Sequence, residues 1–438
     1  MLKRKAYDRL LFWKHHKSKQ ALLVSGARQI GKTYLVREFG HAEYESMVEI
    51  NLLEDAASRE ALSSATSAAQ VFERLTVLAD VPLVPHKTLV FIDEIQESPE
   101  LLTYIKFLVD GHGEFDYVLS GSLLGTELRN VRSFPVGYLS EVKMYPLDFE
   151  EYLWARGVQP QVIETLRSHH ERREPVDAFL HARMMDAFHE YLVIGGMPDA
   201  VQTFCRSRNI QAVRTIQSDI TDLYRADITK YCAATDSLKI KAIYDLMPSE
   251  LNAQNKRFVV SDLGRGARLS THENSFLWLD AAGIALPCYN VDAPVYPLLA
   301  SKKASLFKLY FSDVGLLTSR YMRQTTLDVL QKKDDVNYGG IYENAVAQEL
   351  RAHGFDLYFY FGTKKGELDF VTETRDGAVL PIEVKSGKSY TRHSAIDNAL
   401  DTAEWHIDQA LVLCQGNYRT VGRILYAPIY ACMFLQNE

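Results

Sequence analysis

An α/β architecture of several domains is what this sequence predicts, on three observations. Short apolar runs alternate with helical periods over the first third of the chain, the pattern of a parallel sheet. A glycine-rich turn, Gly26-Ala27-Arg28-Gln29-Ile30-Gly31-Lys32-Thr33, stands where an apolar run passes into a helical one. A second set of β-like runs with a helical segment fills the last hundred or so residues, after a long helical stretch. The length agrees, since 438 residues exceed what one hydrophobic core ordinarily holds.

Bulk properties narrow the class. A hydrophobic content of 47% with 24% charged residues describes a globular chain and not a disordered one. The net charge of −7 excludes a global basic field, so any nucleic-acid site must be local. Residues 1–20 are the exception, with Lys3, Arg4, Lys5, Arg9, Lys14, Lys17 and Lys19 against Asp8 alone. A solvated helix face is the expected use of that segment, ahead of a DNA contact. No run approaches the ~20 apolar residues of a membrane helix, so no membrane association is expected. Cys205, Cys232, Cys288, Cys414 and Cys432 are scattered without C-x-x-C spacing. That argues against a zinc site or a disulfide framework and for a reducing, cytoplasmic setting.

The turn at 26–33 fits G-x-x-x-x-G-K-[ST] without mismatch. Ala21–Ser25 before it is short enough for a buried strand, and Thr33–Phe39 after it reads as a helix. Glycines there let backbone N–H groups close around a polyphosphate at a helix N-terminus. Gly26, Ala27, Arg28, Gln29, Ile30 and Gly31 are thus expected to cradle the phosphates of ATP, with Lys32 on the outer ones and the Thr33 hydroxyl on Mg²⁺. About 60 residues later, Leu89-Val90-Phe91-Ile92-Asp93-Glu94 is an apolar strand ending in two acids. Asp93 is expected to help hold the metal and Glu94 to activate the attacking water. Asp116–Ser122 is a further strand ending in hydroxyls. Ser120 and Ser122 suit a γ-phosphate sensor, although serines at strand ends also serve simply as turn formers.

Residues 1–155 therefore read as an ATPase core and 156–235 as a helical lid. Residues 236–330 read as a winged helix: helices over 238–251, 260–268 and 271–282, then β-like runs at 284–291 and 305–311. Lys256, Arg257, Arg265, Arg268, Lys302 and Lys303 would supply phosphate contacts to DNA, and a protein-docking use of the same module stays open. Gln331–Asp335 is the clearest linker.

The region 335–438 carries a second constellation. Glu343 lies on a helical run, Asp369 in a β-like run, and Glu383 and Lys385 in the next one. Strand residues two apart share a face, so Glu383 and Lys385 point together, and in a hairpin Asp369 lies opposite. Two carboxylates and a lysine beside a helical glutamate suit Mg²⁺-dependent phosphodiester hydrolysis. Asp369 and Glu383 would bind metal, Lys385 would orient or deprotonate water, and Glu343 would complete the shell. The order Asp, then Glu-x-Lys, resembles the PD-(D/E)xK restriction-endonuclease superfamily, whose members also serve as non-cutting binding modules.

Taken whole, the chain resembles the bacterial and archaeal AAA-type ATPases that carry a C-terminal domain of unknown function with a nuclease-like core. The matching strings are 26–33, Ile92–Gln96, Tyr145–Glu151, Gly195-Gly196-Met197-Pro198, Asp313–Leu317 and Ile382–Gly387. The resemblance implies an ATP-binding AAA module, a winged helix and a restriction-endonuclease-like end. It also makes a homo-oligomer an expectation, without marking an interface. Many relatives have a Gly-Arg pair before the position of Tyr145, where this chain has Pro135-Val136-Gly137-Tyr138, so an arginine finger would fall to Arg129 or Arg132, or be absent. The expected function is ATP hydrolysis controlling a DNA-associated nuclease-like domain. The alternative is an ATP-driven switch that binds DNA or protein without cutting.

Overall fold

The computed structural model describes residues 2–122, 135, 137–232, 234–333, 337–374, 376–387 and 389–437. The chain divides into two compact units, one formed by residues up to Tyr145 with 281–283, the other by 146–280 and 284–438.

In the first unit, α1 (Lys5–His16) precedes β1 (Ala21–Ser25), α2 (Lys32–Glu43) and β2 (Ser46–Asn51). There follow α3 (Ala56–Ser63), α4 (Ala68–Leu78), β3 (Thr88–Asp93), α5 (Leu102–Gly111), β4 (Asp116–Gly121) and β5 (Leu139–Lys143). The strands form one sheet in the order β2-β3-β4-β1-β5, all parallel. Its central strands are unbroken apolar runs because both faces are covered. Leu23, Val90, Ile92 and Leu119 meet a cluster drawn from α3, α4 and α5, while α2 packs on β2, β3 and β4 from its own side.

The basic N-terminal segment is solvated only in part, with Lys3, Arg9 and Lys19 exposed. Arg4 is buried and donates to the carbonyls of Ile30 at 2.9 Å and Tyr145 at 2.6 Å. Lys14 reaches the Glu43 carbonyl at 2.5 Å, and Lys17 pairs with Asp116. Several of these charges thus fasten α1 to the unit's own sheet and helices.

The second unit begins with α6 (Phe149–Ala155), α7 (Pro160–Arg172), α8 (Ala178–Ile194), α9 (Pro198–Ser207), α10 (Ile210–Tyr231), α11 (Ala234–Asn252) and α12 (Leu269–Ala281). Strands β6 (Ala285–Val291) and β7 (Lys302–Phe311) lead to α13 (Val314–Ser319), α14 (Arg323–Leu330) and α15 (Gly339–Ala352). Then come β8 (Tyr358–Gly362), β9 (Gly366–Glu373), β10 (Val379–Val384), α16 (Ser394–Leu400), β11 (Ala410–Cys414), β12 (Arg419–Val421) and β13 (Ile424–Pro428). Eight strands make one mixed sheet, ordered β12-β13-β11-β10-β9-β8-β6-β7.

Two expectations read differently here. The pair expected as a wing, β6 and β7, continues the C-terminal sheet through a parallel β6–β8 pairing, so the sheet runs across the expected boundary at 330–335. The helices expected as a lid belong to this second unit.

What ties those helices in is a buried polar hub. Asp313 is fully buried and accepts N–H bonds from Gly196 at 2.5 Å and Leu316 at 2.9 Å. Leu147 donates its N–H to the Gly196 carbonyl at 2.7 Å, and Tyr191 donates its hydroxyl to the Leu147 carbonyl at 2.7 Å. Gln348 on α15 accepts from the Val314 N–H and donates to the Tyr191 oxygen, both at 2.8 Å. A Cβ on Gly196 would sit 2.0 Å from the Leu147 oxygen, so only glycine lets the two backbones meet. Three of the strings quoted above, around 147, 196 and 313, thus converge in one structural clasp.

Candidate functional sites

In the parallel sheet β1 and β3 flank β4, so the ends of all three strands open on the turn at 26–31. That turn is built on left-handed backbone, with φ of 63° at Gln29 and 87° at Gly31, which caps α2. At Gly26 a Cβ would lie 2.4 Å from the Met144 oxygen. Lys32, 6% exposed, donates to the carbonyls of Gly26 at 3.0 Å and Ala27 at 2.7 Å. Burial pulls its ammonium down to about 8, with Glu94 and Asp93 partly restoring it.

Thr33 donates its hydroxyl to Asp93 Oδ2 at 2.8 Å, and Asn51 donates to the same oxygen at 3.2 Å. Asp93 Oδ1 takes the Ser120 hydroxyl and the Glu94 N–H. Burial pushes the Asp93 carboxyl up, while the hydroxyls of Ser120 and Thr33 hold it down. Glu94 follows in left-handed backbone, φ 56°, and its carboxylate accepts from the Gln96 carboxamide. Gln96 in turn accepts the Ser122 N–H at 3.2 Å, and Arg28 donates to Ser122 Oγ at 3.3 Å. A threonine hydroxyl against a buried carboxylate, beside a glycine-built cradle and a lysine, is a donor set that fits ATP with Mg²⁺.

Every residue expected at this site is brought together, and Asn51 and Gln96 join it unforeseen. The register pairing Asn51 with Asp93 is what places the first. Arg129 and Arg132 lie outside the described residues.

In the second unit β9 and β10 pair antiparallel, Phe370 opposite Ile382, and Asp369 Oδ2 accepts the Val384 N–H at 2.8 Å. Glu383 and Lys385 do share a face, at 2.6 Å. Glu343 reaches the cluster from α15. The surprise is Lys308 on β7, wholly buried, whose Nζ lies 2.8 Å from Glu367, 3.3 Å from Glu343 and 3.8 Å from Asp369. Lys256 takes the other Glu343 oxygen at 2.8 Å, Tyr310 donates to Glu343 at 3.0 Å, and Arg257 lies 3.8 Å from Glu367.

Burial opposes the charge on Lys308, yet Glu343, Asp369 and Glu367 hold its ammonium well above the lysine value. Burial also works against ionised Glu343, but Lys308 and Lys256 keep its carboxyl low. Burial, then the charges of Glu343 and Glu383, drive the Asp369 carboxyl well up. Glu383 is raised by burial against the pull of Lys385.

Asp369 and Glu383, the acids expected to bind metal, lie in this cluster with Lys385 2.6 Å from Glu383 and Lys308 3.8 Å from Asp369. Among the described residues no group of three or more His, Cys, Asp or Glu side chains is placed to hold a metal ion. Lysine ammoniums lie against Glu343, Glu367 and Glu383, and Asp369 Oδ2 takes the Val384 N–H, so protein donors already compete for the oxygens a Mg²⁺ ion would need. Of the cations expected to meet DNA, Lys256 and Arg257 are committed here. Lys303 pairs with Asp292, and Lys302 lies over the Tyr289 ring at 3.7 Å. Arg265 and Arg268 are exposed.

No helix among the described residues is long and apolar enough to cross a membrane. Comparison with curated proteins gave no match. Among solved structures, the Walker-type ATPase PABY2304 of Pyrococcus abyssi is similar at 15% identity and a TM-score of 0.41, over 74% of this chain and 96% of that one. A RuvB mutant of Thermotoga maritima is similar at 14% identity and a TM-score of 0.29, over 65% and 89%. PCH-2 of C. elegans is similar at 17% identity and a TM-score of 0.26, over 47% and 61%. Family models match an AAA domain over residues 18–153, a domain of unknown function (DUF8612) over 185–327 and another (DUF4143) over 338–431. With the loop, the strand order and the Asp93 site in place, the chain carries an AAA-type P-loop ATPase domain.

Proposed function

We propose that this protein is an ATP-hydrolysing switch whose second unit engages DNA without cutting it. The observation that carries the hydrolytic part is the Thr33–Asp93 contact at 2.8 Å, with Glu94 next in the chain and held by Gln96. Thr33 and Asp93 would hold Mg²⁺, which supplies positive charge against the outer phosphates. Lys32 would exchange the Gly26 and Ala27 carbonyls for phosphate oxygens. Glu94 would take a proton from water as the hydroxide attacks the γ-phosphorus. The bond to the β-phosphate then breaks, and ADP leaves with the electron pair.

DNA as partner is supported by the three helical segments and hairpin of 234–311 with exposed Arg265 and Arg268. Cleavage is set aside because the C-terminal acids are already paired with lysines.

Turnover by purified protein tests the first part. Lys32→Ala is expected to lose it, and Glu94→Gln to keep ATP binding while hydrolysis falls about 10²- to 10⁴-fold. Wild-type rates in Glu94→Gln would overturn the assignment. For the second part, DNA should change the ATPase rate in a salt-dependent way that Arg265→Ala with Arg268→Ala weakens. Plasmid nicking that needs Mg²⁺ and disappears in Lys385→Ala would return the protein to the nuclease reading.

A further inference from the structure

The C-terminal cluster brings as many basic side chains as acidic ones together. Glu343, Glu367, Asp369 and Glu383 supply four carboxylates, and Lys256, Arg257, Lys308 and Lys385 supply four cations. A divalent ion is held by uncompensated negative charge and free oxygen lone pairs. Here most of those lone pairs face ammonium groups. Glu383 Oε2 is an exception, buried with no hydrogen-bond partner among the described residues.

Lys308 cannot act as a mobile side chain that yields to an arriving metal. It rises from β7 at the edge of the sheet, yet its side chain has no exposure, and it lies 5.2 Å from the centre of the Phe359 ring. It touches three acids drawn from two elements: Glu343 from α15, Glu367 and Asp369 from β9. A single cation shared by three carboxylates, Glu343 buried and Glu367 and Asp369 partly so, is the electrostatic task a metal would perform there. Its removal would leave buried charge without compensation.

We infer that Lys308 is the built-in counter-cation of this cluster, standing where a divalent metal would bind, so that the domain keeps its shape without metal. The inference deepens the non-cutting reading of the second unit and does not depend on whether the P-loop turns over ATP.

Mn²⁺ binding to the nucleotide-free, chelator-treated full chain, followed by the loss of the free-ion electron paramagnetic resonance signal, tests it. The wild type is expected to bind Mn²⁺ identically to Glu383→Gln. Lys308→Met, which keeps bulk and removes charge, is expected to gain one ion per chain, about tenfold tighter or better than anything the wild type shows, because it exposes the carboxylates to a new cation. In Lys308→Met with Glu383→Gln that gain should vanish. Two results would overturn the inference: a wild-type ion lost in Glu383→Gln, or a folded Lys308→Met that acquires no ion. Should Lys308→Met not fold, the comparison of wild type with Glu383→Gln still decides. ATP turnover, read in the same preparations, reports separately on the first unit.

Discussion

Asp93 shows how one buried carboxylate is made directional. Its Oδ2 serves Thr33 and Asn51, and its Oδ1 serves Ser120 and the Glu94 N–H, so each oxygen has a fixed task. Gln96 does the equivalent for Glu94, and through Ser122 it ties that glutamate to the strand beside it. A carboxylate held by a carboxamide loses rotamer freedom before water arrives, which is worth rate and not affinity. Gln96→Ala is therefore expected to lower kcat by about tenfold with KM nearly unchanged, and Gln96→Asn to restore little because it is one methylene short. Steady-state ATPase kinetics check this, and a rise in KM with kcat intact would defeat it. The loop, Asp93 and Glu94 were legible in the sequence because the pattern is local and each residue's role follows from its place in it. Asn51 and Gln96 were not, since one depends on the parallel register of β2 on β3 and the other on a turn just past the strand end. Lys308 was hidden for the same reason: nothing near it in sequence announces that β7 will bring it to Asp369.

Elements in the second unit are joined by contacts that leave no space for a side chain. Several strands and helices were legible from their apolar periods, including β4, β10 and α15, whereas β8, β11, β12, β13 and α16 were not singled out. The continuity of β6 with β8 was not, because pairing partners far apart in sequence carry no local mark. Likewise the glycines at 195 and 196 stood out only as part of a resemblance string, yet they are where α8 meets Asp313 and Leu147. Gly196→Ala is expected to destabilise by ~3 kcal/mol or more, because backbone must move to admit the new carbon. Thermal melts check it, and a melting temperature within a degree of wild type would show that the clasp yields. Asp313 adds a pH signature. Burial raises its carboxyl to about 6, so the folded chain holds this proton more tightly than the unfolded one does. Its contribution is full below about pH 4 and is lost as pH rises through 6, a swing of ~3 kcal/mol at most. The melting temperature of wild type relative to Asp313→Asn should accordingly climb between pH 7 and pH 4. A flat difference would mean the carboxyl is ionised throughout.

At the scale of the whole chain, two compact units share one polypeptide, and only the first has a P-loop. A ligand that binds folded protein stabilises the unit that holds it by RT ln(1 + [L]/Kd), about 2.7 kcal/mol at a hundredfold excess over Kd. For a unit of this size that is roughly 5–10 °C in the transition that includes it. Glu94→Gln is the form to use, because it is expected to keep ATP bound without consuming it during a scan. Calorimetry with ATP and Mg²⁺ should move one transition upward and leave a second where it was. The unmoved transition should be the one that shifts with pH in wild type and not in Asp313→Asn, since that carboxyl belongs to the other unit. Two labels, one a nucleotide and one a proton, would then identify each half of the molecule by its own chemistry. If ATP instead raises both transitions together, the two units melt as a single cooperative body, and the nucleotide's free energy is felt across the whole chain. That result would contradict the division, and it would strengthen the case for a switch that transmits what happens at Glu94.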